Sequence, residues 1–271
     1  MNKVEKKNIA LITGYSGFLG SNFTSLKKDS PFYDFRFYDK QSQLFHIYNP
    51  TQVFHLAAVI AYQLSDSKML FENNVELTQK ICNHFLGARI VMSSSVSVYP
   101  TSKNSHDEFS SGFSSQPYAL SKIWAEQLIR ATSNYAIVRF SSIFGPGMKE
   151  STIIPSFVNQ ALDNNVIEVW GNGSRRQNYI YVDDACQILH LAMQYGKNDT
   201  FLGVGEEHLS NLEVAEIVAK ETGAKIKFVK EDNSSSSFYN NDYTKSKLNW
   251  KAETNIEIGI RQYIKWKKKP Y

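Results

Sequence analysis

The chain has 271 residues, 42% hydrophobic and 21% charged, with a formal net charge of +4. That is enough chain for one large core, or a core with a smaller satellite, in an ordinary globular protein. No apolar run approaches membrane-spanning length, and the basic surplus sits at the two ends (Lys3, Lys6, Lys7 and Lys265 to Lys269), where solvated, frayed termini explain it better than a nucleic-acid or lipid surface.

The charged start runs directly into a strand-like stretch, Asn8–Thr13, leaving no room for a secretory signal, so a cytoplasmic location is expected. Cys82 and Cys186 are isolated thiols in helix-like segments and predict neither a disulfide framework nor a metal site. Further strand-like runs cover 34–38, 52–56, 88–92 and 134–140, alternating with helical patterns near 18–28, 66–86 and 117–132. Such alternation predicts parallel βαβ units with helices on both faces of a sheet. The second half is less regular. It carries helical stretches at 151–163, 183–195, 210–222 and 255–267, and strand-like runs at 167–170, 179–182, 199–204 and 225–230. The expected fold class is α/β: a Rossmann-type doubly wound parallel sheet over 1–165, with 179–204 returning to it, and a smaller mixed α/β substrate domain over 166–271.

Between the first strand and first helix lies Thr13-Gly14-Tyr-Ser-Gly17-Phe-Leu-Gly20. Glycine allows a sharp turn and close approach of a pyrophosphate, while the helix N-terminus offers free N–H groups and partial positive charge. This context points to dinucleotide binding by Gly14, Ser16, Gly17, Phe18, Leu19 and Gly20. Asp39 follows the second strand at the distance where a carboxylate accepts hydrogen bonds from the adenosine ribose and repels a 2′-phosphate, which favours NAD. Lys40 beside it leaves NADP open.

Four Tyr/Lys pairs are spaced by four residues: 99/103, 118/122, 243/247 and 263/267. Context selects Tyr118/Lys122. Ser93-Ser94-Ser95 ends the fourth strand, at the edge where open α/β sheets bind ligands. Pro117 then suits the first position of a helix that places Tyr118 and Lys122 on one face. A free phenol, with a pKa of about 10, is a poor base at neutral pH. A nearby ammonium, the helix N-terminus and an oxidised nicotinamide would all favour its ionised form. With Lys122 holding the cofactor ribose and Ser95 bonding the substrate oxygen, the trio can move a proton while hydride moves at a C–OH carbon.

At this point the sequence resembles the extended short-chain dehydrogenase/reductases, in particular the nucleotide-sugar epimerase/dehydratase group. The resemblance runs through 13–20, Val-Phe-His-Leu-Ala-Ala (53–58), Asn74-Val, Ser-Ser-Ser-x-x-Val-Tyr (93–99), Pro-Tyr-x-x-Ser-Lys (117–122), Val-Arg-Phe-x-x-Ile-Phe-Gly-Pro-Gly (138–147), Tyr-Ile-Tyr-Val-Asp-Asp (179–184) and Leu-Asn-Trp (248–250). It adds Leu56, Ala57, Ala58, Asn74 and Ser93 to the expected cofactor positions, and implies a nucleotide-sugar substrate and a homodimer through the helices near 66–86 and 117–132.

The departures are informative. Only 13 residues separate Asp39 from Val53, where relatives fit a strand, an aspartate and a helix. Ser142 replaces a substrate-contacting asparagine. Gln177 replaces a diphosphate-binding arginine, with Arg175 and Arg176 just upstream as a candidate clamp. Val96 and Ser97 stand where dehydratases carry an Asp-Glu acid/base pair, which disfavours dehydration. Two reactions need only Ser/Tyr/Lys and a nicotinamide: C4 epimerisation through a 4-keto sugar, and reduction of a 4-keto-6-deoxy sugar nucleotide. A reductase of non-sugar ketones, and a silent nucleotide sensor or nucleic-acid binder on the same scaffold, are the other readings. His106, Asp107 and Glu108, before the catalytic helix, are expected in an exposed polar loop, with assistance in proton transfer as the other reading.

Overall fold

The computed structural model describes residues 7–38, 49–102 and 104–269. Six parallel strands form the main sheet, in the order β2-β1-β3-β4-β5-β9. They are β1 (Asn8–Thr13), β2 (Tyr33–Tyr38), β3 (Gln52–His55), β4 (Arg89–Ser95), β5 (Tyr135–Phe140) and β9 (Asp199–Gly203). The chain leaves β1 towards β2 and then crosses to β3 on its other side. The C-terminal ends of β1 and β3 are therefore a switch point, where an open α/β sheet binds its ligand.

Alternation along the strands builds two cores, because successive side chains face opposite sides. Ala10, Ile12, Phe54, Val91, Ala136 and Val138 point into one apolar cluster, while Leu11, Val53, Ile90, Met92 and Ile137 point into the other. Helices α1 (Phe18–Leu26) and α6 (Val182–Tyr195) cover the first face. On the second lie α3 (Leu77–His84) and α4 (Pro117–Arg130). The predicted 66–86 helix is one continuous run in three parts: α2 (Ser67–Leu70), a wider π-helical segment Phe71–Glu76, and α3.

Two smaller sheets complete the fold. One has the order β10-β8-β6, from β6 (Ser142–Phe144), β8 (Arg176–Tyr181) and β10 (His208–Ser210); the other pairs β7 (Val166–Trp170) with β11 (Lys225–Val229) in parallel. Strand β8 stays in the three-stranded sheet, whereas α6 and β9, which follow it, rejoin the main layer. Helices α5 (Ile153–Asn164), α7 (Asn211–Thr222), α8 (Asp242–Leu248) and α9 (Ile256–Lys267) pack around these sheets. Strands β6 and β10 and helix α8 were not foreseen. Three residues are too few to show an alternating pattern, and α8 (Asp-Tyr-Thr-Lys-Ser-Lys-Leu) lacks an apolar stripe. Among the described residues no helix is long and apolar enough to cross a membrane, and no cluster of His, Cys, Asp or Glu has a metal-binding arrangement.

Candidate active site

The glycine-rich turn is built from contacts that a side chain would break. Gly14 has φ +69°, and a Cβ there would lie 2.6 Å from the Ala57 backbone; one at Gly20 would lie 2.1 Å from the Gly14 carbonyl oxygen. Both glycines serve the close packing of β1, α1 and the end of β3. Gly17 differs. It caps α1 without any side-chain hydrogen bond and is exposed; a Cβ there would meet only the Gly14 oxygen, at 3.3 Å. The first N–H groups of α1 thus open beside a backbone with no side chain in the way, which is the cradle a pyrophosphate needs. Ser16 is exposed beside it, while Phe18 and Leu19 are half-buried against the core. Asp39 and Lys40, the expected ribose-side residues, lie outside the described residues.

A buried polar chain fixes the neighbouring strand end. The Thr13 hydroxyl meets His55 Nδ1 at 2.8 Å and accepts from the Ala57 N–H at 3.1 Å, while His55 Nε2 meets Thr78 Oγ1 at 2.8 Å. Burial, with the Lys122 charge adding, pushes the His55 pKa down to about 3, so the ring is neutral and bridges two hydroxyls. Asn74 continues this framework. Its amide exchanges hydrogen bonds with the Val59 backbone at 2.8 and 2.9 Å and donates to Ser121 Oγ at 2.9 Å. Asn74 is buried and committed to protein partners, tying the 57–59 segment to α4 rather than presenting its amide to a ligand.

The catalytic candidates meet where α4 begins. Pro117 occupies the first turn of the helix, and Tyr118, Lys122 and Glu126 follow at intervals of four, all buried on its inner side. The Ser95 side chain accepts from the Ser97 N–H at 3.1 Å and lies near enough to the Tyr118 phenol to favour its ionised form. Lys122 Nζ donates to the Ser93 carbonyl at 2.8 Å. Ser93 therefore serves through its backbone, its own hydroxyl being directed to the His55 carbonyl at 3.5 Å.

The protein's own electrostatics are those of the site without the charge of a nicotinamide. Burial pushes the Tyr118 pKa up to about 12, with Tyr62 adding to the rise and the neighbouring Ser95 opposing it. The protein's own residues thus hold a neutral phenol. The Lys122 ammonium is drawn to Ser93 instead, and burial pushes it down to about 8 against the attraction of Glu126.

Behind Lys122 lies an ion pair that sequence reading did not single out. Arg139 donates from Nε and NH2 to the two Glu126 oxygens at 3.0 and 2.7 Å, with both side chains almost fully buried. The Ser94 hydroxyl donates to the same carboxylate at 2.6 Å, and Arg139 donates on to the Tyr99 hydroxyl at 2.9 Å. A glutamate eight residues after the tyrosine, and an arginine inside an otherwise apolar strand, were the available signals.

The predicted substrate-side residues are distributed unevenly. Ser142 is exposed at the start of β6, paired with Tyr179 across the small sheet. Arg175 lies near enough to Tyr179, Tyr239 and Asp232 to influence their ionisation. Arg176 corrects the expected clamp: it donates to the His208 carbonyl at 2.7 Å and pairs with Glu213 at 3.2 Å, so its guanidinium braces α7 and Arg175 is the freer of the two. Gln177 donates to the Tyr179 hydroxyl and to Asn211 Oδ1 at 3.2 and 3.1 Å. The 106–108 loop is also not the exposed polar segment expected. His106 stacks on Tyr99 and bridges backbone to 238–240, and the buried Glu108 accepts from the Thr244 N–H at 3.0 Å.

Residues 10–205 match the family model described as the NAD dependent epimerase/dehydratase family. The chain belongs to this family. The family's dependence on NAD agrees with the dinucleotide expected from the glycine-rich turn and with the preference for NAD expected from Asp39. A UDP-glucuronate 4-epimerase of Thermodesulfobacterium geofontis is 24% identical over 242 residues, covering 83% of this chain and 75% of that relative. A probable dTDP-glucose 4,6-dehydratase of Sinorhizobium fredii is 29% identical over 170 residues, covering 56% of this chain and 49% of the relative. Several of the curated relatives are thus matched over only about half their length. Among solved structures, MoeE5 in complex with UDP-glucose and NAD superposes with a TM-score of 0.84 at 23% identity, over 96% of this chain and 98% of that one, a likeness of fold.

Proposed function

We propose that the chain is an NAD-dependent enzyme acting on a nucleotide-activated sugar through a 4-keto intermediate, with Ser95, Tyr118 and Lys122 as its catalytic residues. The observation carrying this reading is the buried Tyr118 and Lys122 on one helix face, with the Ser95 side chain near enough to influence the phenol, at the strand ends next to the Gly17 cradle. Gly14, Gly17, Gly20 and the N-terminus of α1 would hold the pyrophosphate, and Lys122 the nicotinamide-side ribose. Bound NAD supplies the hydride acceptor and donor. Tyr118, neutral in the protein's own field, gives its proton to a carbonyl oxygen as the ketone becomes an alcohol, and takes one back in the reverse step. Ser95 holds that oxygen through both directions. Arg175 and Gln177 face the nucleotide diphosphate.

Epimerisation is favoured over dehydration because Val96 and Ser97 occupy the place of a carboxylate pair, leaving no acid and base to eliminate water. Reduction of a 4-keto-6-deoxy sugar nucleotide uses the same three residues and is the second reading, favoured by the thinned diphosphate site around Gln177. The division into a nucleotide-binding part and a smaller C-terminal substrate-binding part belongs to the same proposal. So does homodimerisation. Leu120 and Trp124 are 50% and 54% exposed on the outer side of α4, and Phe71 packs edge-on against Trp124 with ring centroids 5.3 Å apart. A second copy covers this apolar face in the proposed dimer.

Purification followed by release and chromatography of bound nucleotide tests the reading. Retained NAD, and nicotinamide reduction when UDP-glucose, UDP-glucuronate or dTDP-glucose is added, are expected. Tyr118→Phe is expected to lose at least about a hundredfold in turnover; full activity in that variant would refute the mechanism.

A further inference from the structure

Tyr62 stands over the catalytic tyrosine and has no role in the scheme above. It lies in the segment linking β3 to α2, which crosses the ligand-binding edge of the main sheet. Its ring is edge-on to that of Tyr118, with centroids 6.2 Å apart and an interplanar angle of 74°. The two rings differ sharply in setting: Tyr118 is 7% exposed and Tyr62 61%. Tyr118 is therefore sealed partly by an aromatic side chain that itself remains open to solvent. A single exposed tyrosine needs no cover on its own account; what marks Tyr62 is its place against the ring of Tyr118. The hydroxyl whose proton Tyr118 moves must come within about 3 Å of the Tyr118 oxygen. A pyranose brought there lies within reach of the Tyr62 ring.

We propose that Tyr62 forms the outer wall of the sugar subsite, contacting the pyranose ring of the bound nucleotide sugar and so acting as a specificity-determining residue. This rests on the nucleotide-sugar reading given above. Sugar rings carry C–H faces that pack on aromatic rings and hydroxyls that bond to a phenol, and Tyr62 offers both. The nucleotide end of the substrate lies on the Arg175 side in that reading, so Tyr62 discriminates among sugars and is indifferent to the base and diphosphate. Its contribution is to sugar binding, with proton transfer left to Tyr118.

Calorimetric titration of the full chain with UDP-glucose and dTDP-glucose, and with UDP and dTDP alone, separates the two ends of the ligand. Tyr62→Ala is expected to weaken binding of the better sugar nucleotide about tenfold and to leave the affinity for the matching free nucleotide unchanged. Tyr62→Phe retains the ring and is expected to recover part of that loss. Because the side chain is mostly exposed, its truncation opens no buried cavity, and an unchanged unfolding transition in the variants checks this. Sugar-nucleotide affinity within twofold of wild type in Tyr62→Ala would overturn the proposal alone. An equal loss for UDP or dTDP would do the same, showing a general rather than a sugar-specific effect. Wild-type protein that binds neither sugar nucleotide would overturn the enzyme reading and this proposal together.

Discussion

Replacing Glu126 by glutamine should destabilise the protein more than any other single isosteric change near the site. Glu126 is 2% exposed and receives two charge-assisted hydrogen bonds from Arg139, one from Ser94, and a longer contact from Arg130 at 3.6 Å. Burial alone would push its carboxyl up, but the Arg139 hydrogen bonds and charge outweigh this and hold it below the ordinary range. Glutamine keeps the shape and removes the charge, leaving the buried Arg139 guanidinium uncompensated. Breaking one side of a buried pair costs about 3–5 kcal/mol, a large part of the roughly 5–15 kcal/mol that keeps a domain folded. Urea unfolding followed by circular dichroism measures the loss, which should appear as a lower midpoint at constant slope. Removing both charges together, as in Glu126→Leu with Arg139→Met, should recover most of it, because neither partner is then stranded. A cost below about 1 kcal/mol for Glu126→Gln would mean that water or another group compensates Arg139, and would refute the argument.

Three further outcomes follow from the same geometry. Burial holds Lys122 at about 8, below its ordinary 10.5, so its ammonium is lost as pH rises through 8 and turnover should fall on that alkaline side; Glu126→Gln removes a charge that raises this value, and the falling limb in a pH–rate profile should move to lower pH. Gly20→Ala forces a methyl against the Gly14 backbone and should cost about 1–3 kcal/mol in denaturant unfolding, whereas Gly17→Ala, whose methyl meets only the Gly14 oxygen at 3.3 Å, should cost less in folding and show weakened NAD binding by calorimetry. Trp124→Glu places a charge in the proposed dimer face and should give monomers by light scattering without loss of fold, since this ring is half exposed.

The parts of the fold and site legible in the sequence were those with a local physical signature. Alternation of apolar runs announced the six-stranded layer, and glycines that admit no Cβ marked the turn after β1. Tyr118 and Lys122 were legible because a helix fixes what lies four residues away. What the sequence hid depends on contacts across long separations. Nothing local tells that Arg139 on β5 reaches Glu126 on α4, or that Arg176 turns towards Glu213 and leaves Arg175 as the freer cation. The part of the Tyr118 ionisation that the protein itself sets was hidden for the same reason. Spacing placed an ammonium nearby and suggested a lowered phenol, but Lys122 bonds to the Ser93 carbonyl from a different element, and burial then dominates. In the proposed mechanism, a phenol that the protein's own field keeps neutral favours the ketone-to-alcohol direction. In the same proposal Tyr118 would take a proton from an alcohol once an oxidised nicotinamide, when bound, supplied the positive charge that favours phenolate.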